Sequence, residues 1–584
     1  MYTRRLIVMI SAIAICAVPA WALQRSIDIV FEGTRSEHRW PISELDPCMP
    51  SDWSDYKFLV LELKASSPQR FSIWVHTRSG GRRLMFHPFC QEVWLRAAIP
   101  LDFFAGKGRQ GTDLASAHNR RFESFWVGLW GPFGPLKDVQ AVGVVMEYPV
   151  GRPRLQIRSI SLSRDDPGSS FLEGPVVDAF GQCQRADWPG KVRSKEQLED
   201  ELAKELEGLG DGSRFNWCQY GGYRQRQLKA TGFFRVEQLA GRWWFVDPDG
   251  HPFISTGANC IRDISGTGLV SKRMTAWGFN TIGNWSAIDQ SAGPKKVYTA
   301  MLRPGRFEHA YLGMPDVYEP NFEQAIQQAA ERQCSNYRSD PWLLGYFLGN
   351  EPPWPGREVE LVDMFLQGPP CATRERLKAY LAEGDSPQRR QAFVHGMFQR
   401  YLTVMIDAIR RADPNHLILG IRFGGSPEHQ VLQMAKAFDV CSINVYEYEP
   451  TSQINKVYQA TGRPVLIGEF HIGVPANGLA AGLVQAANQA ERAKGYRYYV
   501  EQAAKLSAFV GAHWFQWTDE PVLGRFDGEN YNIGLVDVTN RPYRELVDAA
   551  IQTHARLYDV HAGLIAPFEQ RPKASEYGTP ESPW

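Results

Sequence analysis

Trp342-Leu343-Leu344-Gly345-Tyr346-Phe347-Leu348-Gly349-Asn350-Glu351-Pro352-Pro353 is an apolar run that ends in an amide, a carboxyl and two prolines. A short unbroken run of this kind reads as a strand buried on both faces, and the prolines stop it. An Asn-Glu pair in an ordinary loop carries no chemistry. At the end of a buried strand, a carboxyl with an amide beside it suits acid–base work on a sugar. Arg463-Pro464-Val465-Leu466-Ile467-Gly468-Glu469-Phe470-His471 repeats the pattern, an apolar strand that ends in Glu469.

Working outward from these two runs, strand-like stretches recur at 253–258, 281–284, 297–301, 343–348, 417–421, 440–445, 465–470 and 508–517. Amphipathic helical stretches lie between or after them at 321–337, 387–412, 429–438, 483–506 and 543–558. Eight such alternations predict an α/β fold, a (β/α)₈ TIM barrel. Upstream, short alternating runs at 56–63, 71–76, 122–129, 139–148 and 155–162, broken by Gly, Pro, Ser and Asp, predict an all-β jelly-roll domain of carbohydrate-binding-like kind. Trp74, Trp126 and Trp130 in it read as core or domain-interface packing rather than as sugar platforms.

The expected organisation is a signal peptide at 1–22, the sandwich at 23–165, a connector at 166–232, the barrel at 233–565 and a mobile tail at 566–584. In the connector, Ser194 and Gln197 start a capped acidic helix whose charges read as a solvated face. The tail is rich in Pro, Ser and Glu. The leader has Arg4-Arg5, an apolar stretch from Leu6 to Val18, and Ala20-Trp21-Ala22 as a cleavage site. The expected destination is secreted or periplasmic, without stable membrane insertion.

With 64 basic and 64 acidic residues the net charge is zero, which argues against nucleic acid as a partner. Of nine cysteines, Cys16 falls in the leader, and an even number remains, as an exported protein with disulfides would have. By locality the pairs Cys48–Cys90, Cys183–Cys218 and Cys334–Cys371 are plausible, whereas Cys260 and Cys441 read as buried thiols. No cysteine spacing resembles a zinc site.

Catalytic groups of such barrels project from the C-terminal strand ends. Glu351 after strand four and Glu469 on strand seven would then face each other across the mouth. Retaining glycosidases need two carboxyls about 5 Å apart, one to protonate the leaving oxygen and one to attack the anomeric carbon. Tyr446, past strand six, is placed to hydrogen-bond the nucleophile, and Trp517, at the end of strand eight, to floor the sugar site. His471 would touch sugar hydroxyls or orient Glu469, while Asn259, Asn284 and Trp285 would line the pocket. Asp519 and Glu520 read as substrate contacts or solvated loop acids. Glu447 and Glu449 lack the strand-seven position.

Four further stretches carry a resemblance: Asp187-Trp188-Pro189-Gly190-Lys191, Gly241-Arg242-Trp243-Trp244-Phe245-Val246-Asp247-Pro248-Asp249-Gly250-His251, Gly468-Glu469-Phe470-His471 and Gly528-Glu529-Asn530-Tyr531-Asn532-Ile533-Gly534. In these the chain resembles glycoside hydrolase family 50, the β-agarase family, within the clan of retaining (β/α)₈-barrel glycosidases. The resemblance implies Glu351 as acid/base, Asn350 as partner of the substrate's 2-hydroxyl and Glu469 as nucleophile. It implies a polysaccharide or oligosaccharide substrate cleaved at β-galactosidic linkages, with neither metal nor organic cofactor required. The alternatives are an exo-β-galactosidase or other β-glycan hydrolase, and a non-catalytic carbohydrate-binding or envelope protein.

Overall fold

The computed structural model describes residues 26–263, 268–288 and 290–580. The expected signal peptide at 1–22 lies outside the described residues.

Leu61 and Leu63 alternate with half-buried Glu62 and Lys64 along Phe58–Ala65, and Phe71, Ile73 and Val75 alternate with polar or half-buried neighbours along Phe71–Thr77. Alternation of period two gives each strand one apolar face, and the two faces meet as the core of a sandwich. One antiparallel sheet has the order Ile27–Val30, Arg154–Ser163, Phe58–Ala65, Leu95–Pro100, Ser170–Phe171; the other runs Arg35–Pro41, Val139–Glu147, Phe71–Thr77, Gly80–Pro88, Phe125–Gly128, Asn119–Arg121. With the hairpin and the last short strand set aside, the eight principal strands fall in the order one-eight-three-six and two-seven-four-five. That is the jelly-roll order.

The barrel is closed by eight parallel strands, β1 Ser255–Ala258, β2 Thr281–Ile282, β3 Val297–Met301, β4 Leu343–Asn350, β5 Leu417–Gly424, β6 Cys441–Asn444, β7 Val465–Phe470 and β8 Phe509–Trp514. β1 pairs with β8, Ser255 opposite Gly511, and so no strand edge remains. Leu344, Phe347, Leu419, Leu466 and Val510 of these strands share a cluster with Phe245 and Phe253 of the preceding hairpin segment, and the wider cluster packs the strands against helices such as Phe322–Cys334, Pro387–Ala412 and Arg544–His561. The first expected strand is divided. Pro252–Phe253 pairs with the hairpin strand Arg242–Val246, and only Ser255–Ala258 enters the barrel.

Several expectations need correction. The disulfide joins Cys90 to Cys183, one from the sandwich and one from the connector, and none of the three local pairs forms. Cys441 is buried as expected, but Cys260 is only half-buried. The acidic helix, Lys195–Gly208 with Ser194 as N-cap, is not merely solvated, because buried Glu205 accepts from Arg273 Nε at 3.0 Å. The described part of the tail is docked. Phe568 N donates to Glu501 Oε2 at 2.8 Å, Ala487 N donates to Lys573 O at 2.9 Å, and Ala574 and Ser575 are buried. Among the described residues no helix is long and apolar enough to cross a membrane.

Candidate active site

Glu351 follows β4 directly, with φ +40°, a left-handed value that residues other than glycine rarely adopt. Its backbone is held from two sides. Its amide donates to Arg422 O on β5 at 2.7 Å, and its carbonyl accepts from Leu114 N of the sandwich at 3.1 Å. Oε1 of its side chain accepts from Asn444 Nδ2, at the end of β6, at 2.8 Å. Burial, and next the neighbouring Glu469 charge, push its carboxyl up to about 8.

Glu469 lies on β7 and has different surroundings. Arg422 Nη2 lies 2.8 Å from Oε1, Trp285 Nε1 donates to Oε1 at 3.3 Å, and Tyr446 donates to Oε2 at 2.6 Å. Every one of these is a donor that an ionised carboxylate can accept. Arg422 is itself fully buried and also donates to Gly468 O at 2.7 Å and to Asn259 Oδ1 at 3.2 Å. Position 468 must be glycine, since a Cβ there would stand 2.7 Å from Asn444 Oδ1 and 2.9 Å from Arg422 Nε.

Both carboxyls line one cavity of about 530 Å³. Its barrel side includes Tyr446, His471 and Phe515, and the segment after β8 adds Glu529 and Tyr531. The sandwich supplies the opposite wall, with Arg70, Met85, Leu114, Asn119, Trp126 and Trp130. The two domains meet around it through Phe89 and Trp126 packed with Ala480, Phe515, Tyr531 and Ile533. Asn119 Nδ2 donates across this boundary to Glu529 Oε1 at 3.2 Å. Burial pushes the Glu529 carboxyl up to about 7.

Of the residues singled out from sequence, Glu351, Glu469, Tyr446 and His471 line the cavity, and Trp285 reaches Glu469 from its side. Asn350 Oδ1 is 3.4 Å from Asn444 Nδ2, beside Glu351. His471 neither binds Glu469 nor offers a free ring nitrogen. Its Nδ1 is 3.0 Å from Phe515 O and its Nε2 accepts from Leu483 N at 2.8 Å, so backbone occupies both. Asn259 is buried behind the site, where its amide donates to Gly468 O at 3.0 Å. Asn284 accepts from Thr299 Oγ1 at 3.1 Å and faces a separate cleft.

Trp517 is not the floor of the cavity. It is fully buried, stacked on Trp277 at 5.4 Å. β8 ends at Trp514, three residues short of the expected end, so strand alternation no longer sets the direction of Trp517, and Phe515 faces the cavity instead. Asp519 and Glu520 are buried, neither solvated nor lining the cavity. Asp519 accepts from Gly534 N at 2.7 Å and Glu520 from Tyr531 N at 2.8 Å. Trp126 packs at the domain interface and also lines the cavity, and Trp130 is half-exposed, stacks on His118 at 4.0 Å and lines it as well.

Sequence reasoning passed over Arg422, Asn444 and, apart from Trp126 and Trp130, the sandwich wall. Arg422 did leave a signal: a guanidinium inside the apolar run Leu417-Ile418-Leu419-Gly420-Ile421-Arg422-Phe423 needs a buried counter-charge. Arg70, Met85, Leu114 and Asn119 of the sandwich wall left none.

No family model matches the chain. It is 25% identical to β-agarase B of Vibrio sp. (strain JT0107), over 87% of this chain and 69% of that protein. It is 28% identical to β-agarase A of the same strain, over 68% of this chain and 53% of that one. The resemblance to the β-agarase family holds. Among solved structures, an exo-β-agarase superposes with a TM-score of 0.66 at 22% identity, covering 94% of this chain and 98% of its own. The agarase AgWH50C superposes with a TM-score of 0.62 at 22% identity, covering 93% and 96%. The likeness to these two agarases is therefore one of fold and spans both the sandwich and the barrel.

Proposed function

We propose that this protein is a retaining, agarase-like β-glycoside hydrolase, exported by the leader at 1–22, that cleaves β-galactosidic linkages of a polysaccharide by double displacement. The observation that carries the reading is the unequal environment of two carboxyls in one cavity. Glu351 is buried with its carboxyl pushed up to about 8, while Glu469 sits against Arg422, Tyr446 and Trp285. One is kept as an acid and the other is met by donors, which is the division of labour that retention requires.

In the first step a Glu469 oxygen attacks the anomeric carbon, the glycosidic bond breaks, and the leaving oxygen takes the proton of Glu351. In the second, Glu351 removes a proton from water, whose oxygen displaces Glu469 from the sugar. Asn350 is the partner of the 2-hydroxyl. The two β-agarases and the solved agarase folds support an agarose-like substrate.

Product analysis on agarose against a panel of β-glycans tests the substrate, and the expected outcome is β-galactosidic cleavage of agarose. Activity confined to another glycan would overturn it. Azide tests the roles. With an activated aryl glycoside, Glu469→Gly should yield the α-glycosyl azide and Glu351→Ala the β-glycosyl azide. Undiminished turnover in either variant, or inversion in the wild type, would remove the mechanism.

A further inference from the structure

At the N-terminal end of the barrel, away from the cavity, three side chains of different donor chemistry converge. Cys218 comes from the connector; Asp247 and His251 come from the turn between Arg242–Val246 and Pro252–Phe253, just ahead of β1. A sulfur, a carboxylate oxygen and an imidazole nitrogen from these residues all lie within 4.8 Å of one another. Asp247 Oδ1 accepts from the His251 amide at 2.8 Å, while Oδ2 lies 2.8 Å from Cys218 Sγ and 3.6 Å from His251 Nδ1.

Two details need more than a thiol resting on a carboxylate. His251 Nδ1 is buried and has no hydrogen-bond partner. An unpaired buried polar atom is destabilising unless something outside the protein pairs with it. Cys218 Sγ also accepts from the Gly222 amide at 3.1 Å, so a backbone donor is already aimed at the sulfur. Gly222 closes over the cluster. A Cβ at that position would stand 2.4 Å from Asp247 Oδ2, 2.9 Å from His251 Cβ and 3.2 Å from Cys218 Sγ, so only glycine leaves the cradle open.

We propose that Cys218, Asp247 and His251 form a structural site for a divalent cation of the zinc class, clamping the connector to the hairpin beneath the barrel. One thiolate, one imidazole and one carboxylate are a borderline-soft donor set suited to tetrahedral zinc, with water in the fourth position. The thiol proton leaves to solvent on binding, and thiolate plus carboxylate then balance the two charges of the ion, so the occupied site is neutral in its buried setting. His251 Nδ1 gains its missing partner. Cys218 also lines a surface cavity of about 410 Å³, which gives the ion a path in. Linear spacing hides the site because Cys218 and Asp247 are 29 residues apart.

The test uses the full-length protein and is independent of its glycosidase activity. After incubation with zinc and gel filtration, elemental analysis should find one zinc per chain, and chelation should lower Tm. With cobalt in place of zinc, a thiolate-to-cobalt charge-transfer band should appear in the near ultraviolet. Cys218→Ser should lose that band, and Cys218→Ser and His251→Gln should each lose the bound metal and the Tm response to chelator. Wild-type protein that emerges metal-free, or both variants retaining one zinc per chain, would overturn the site. Because the wild type alone gives metal content and spectrum, a variant that fails to fold does not decide the outcome.

Discussion

At the residue scale, the pair of carboxyls is differentiated by what each one touches. Glu351 has one amide partner in a buried setting, and its carboxyl is raised from the ordinary 4.5 to about 8. Two measurable consequences follow from its sign. Glycosyl transfer to the enzyme needs the protonated form, so kcat/KM on the polysaccharide should fall on the alkaline side with a midpoint near that value. A profile flat through this range would contradict the role. For stability, the unfolded chain releases this proton near its ordinary value while the folded chain holds it. Between the two pKa values the folded state binds more protons, so the contribution of Glu351 falls as pH rises through the window and levels off above about 8. Glu351→Gln lacks that slope. Its Tm should therefore gain on the wild type across the window, as scanning calorimetry at several pH values would show. Arg422 is the second residue of consequence. Replacing it by Met leaves Glu469 without its buried cation, a loss of about 3 kcal/mol or more. If expressed in the reaction, that loss means a fall in kcat of roughly 100-fold, measurable by steady-state kinetics. Wild-type kcat in a folded Arg422→Met protein would show that the ion pair serves the fold alone.

At the element scale, the site depends on where strands stop. β7 carries Glu469 opposite Asn444, at a register shift in its pairing with β6, so the irregularity at the strand end rather than plain alternation sets where its side chain points. β8 ends at Trp514, and beyond it Phe515 takes the place at the cavity expected of Trp517, which is buried instead. On the other wall, the short helix Leu114–His118 rests on the acid, with Leu114 N bonded to Glu351 O. The helix is set by a capping box. Asp113 Oδ1 accepts from Ser116 N at 2.8 Å, and Ser116 Oγ reaches back to the Asp113 amide. Removing the cap with Asp113→Ala should cost about 1 kcal/mol and loosen this wall. The expected kinetic signature is a KM for polysaccharide raised several-fold with kcat little changed. A kcat loss with constant KM would assign Asp113 to Glu351 directly.

At the scale of the whole molecule, the cavity exists only between two domains. Asn119, Trp126 and Trp130 belong to the sandwich, while Glu469, Phe515 and Tyr531 belong to the barrel. The Cys90–Cys183 disulfide, with Gly478 of the barrel against it, fastens the sandwich to the connector across a sequence separation of 93. By loop entropy such a link is worth up to about 4.6 kcal/mol. The double variant Cys90→Ser, Cys183→Ser should melt at lower temperature, as wild type should in reductant. Its turnover of polysaccharide should fall further than that of a small aryl glycoside, which needs less of the sandwich wall. Equal loss on both substrates would mean that the link supports the barrel alone.

The sequence by itself determined the barrel, the jelly roll and the two carboxyls. These are local matters: an apolar run such as 343–348 or 465–470 must be buried, its length fits a strand, and a carboxyl at its end is carried to the mouth. Tyr446 was legible for the same reason, being two residues past the end of β6. Only the tertiary structure decided which groups surround those carboxyls. Arg422 meets Glu469, Asn444 meets Glu351 and Asn119 meets Glu529 because the barrel closes and the sandwich folds onto its mouth. Cys90 likewise pairs with Cys183 rather than with the nearer Cys48. Periodicity records which face of an element is buried, and it carries no information about what lies opposite. That is set by the packing of segments distant from one another along the chain.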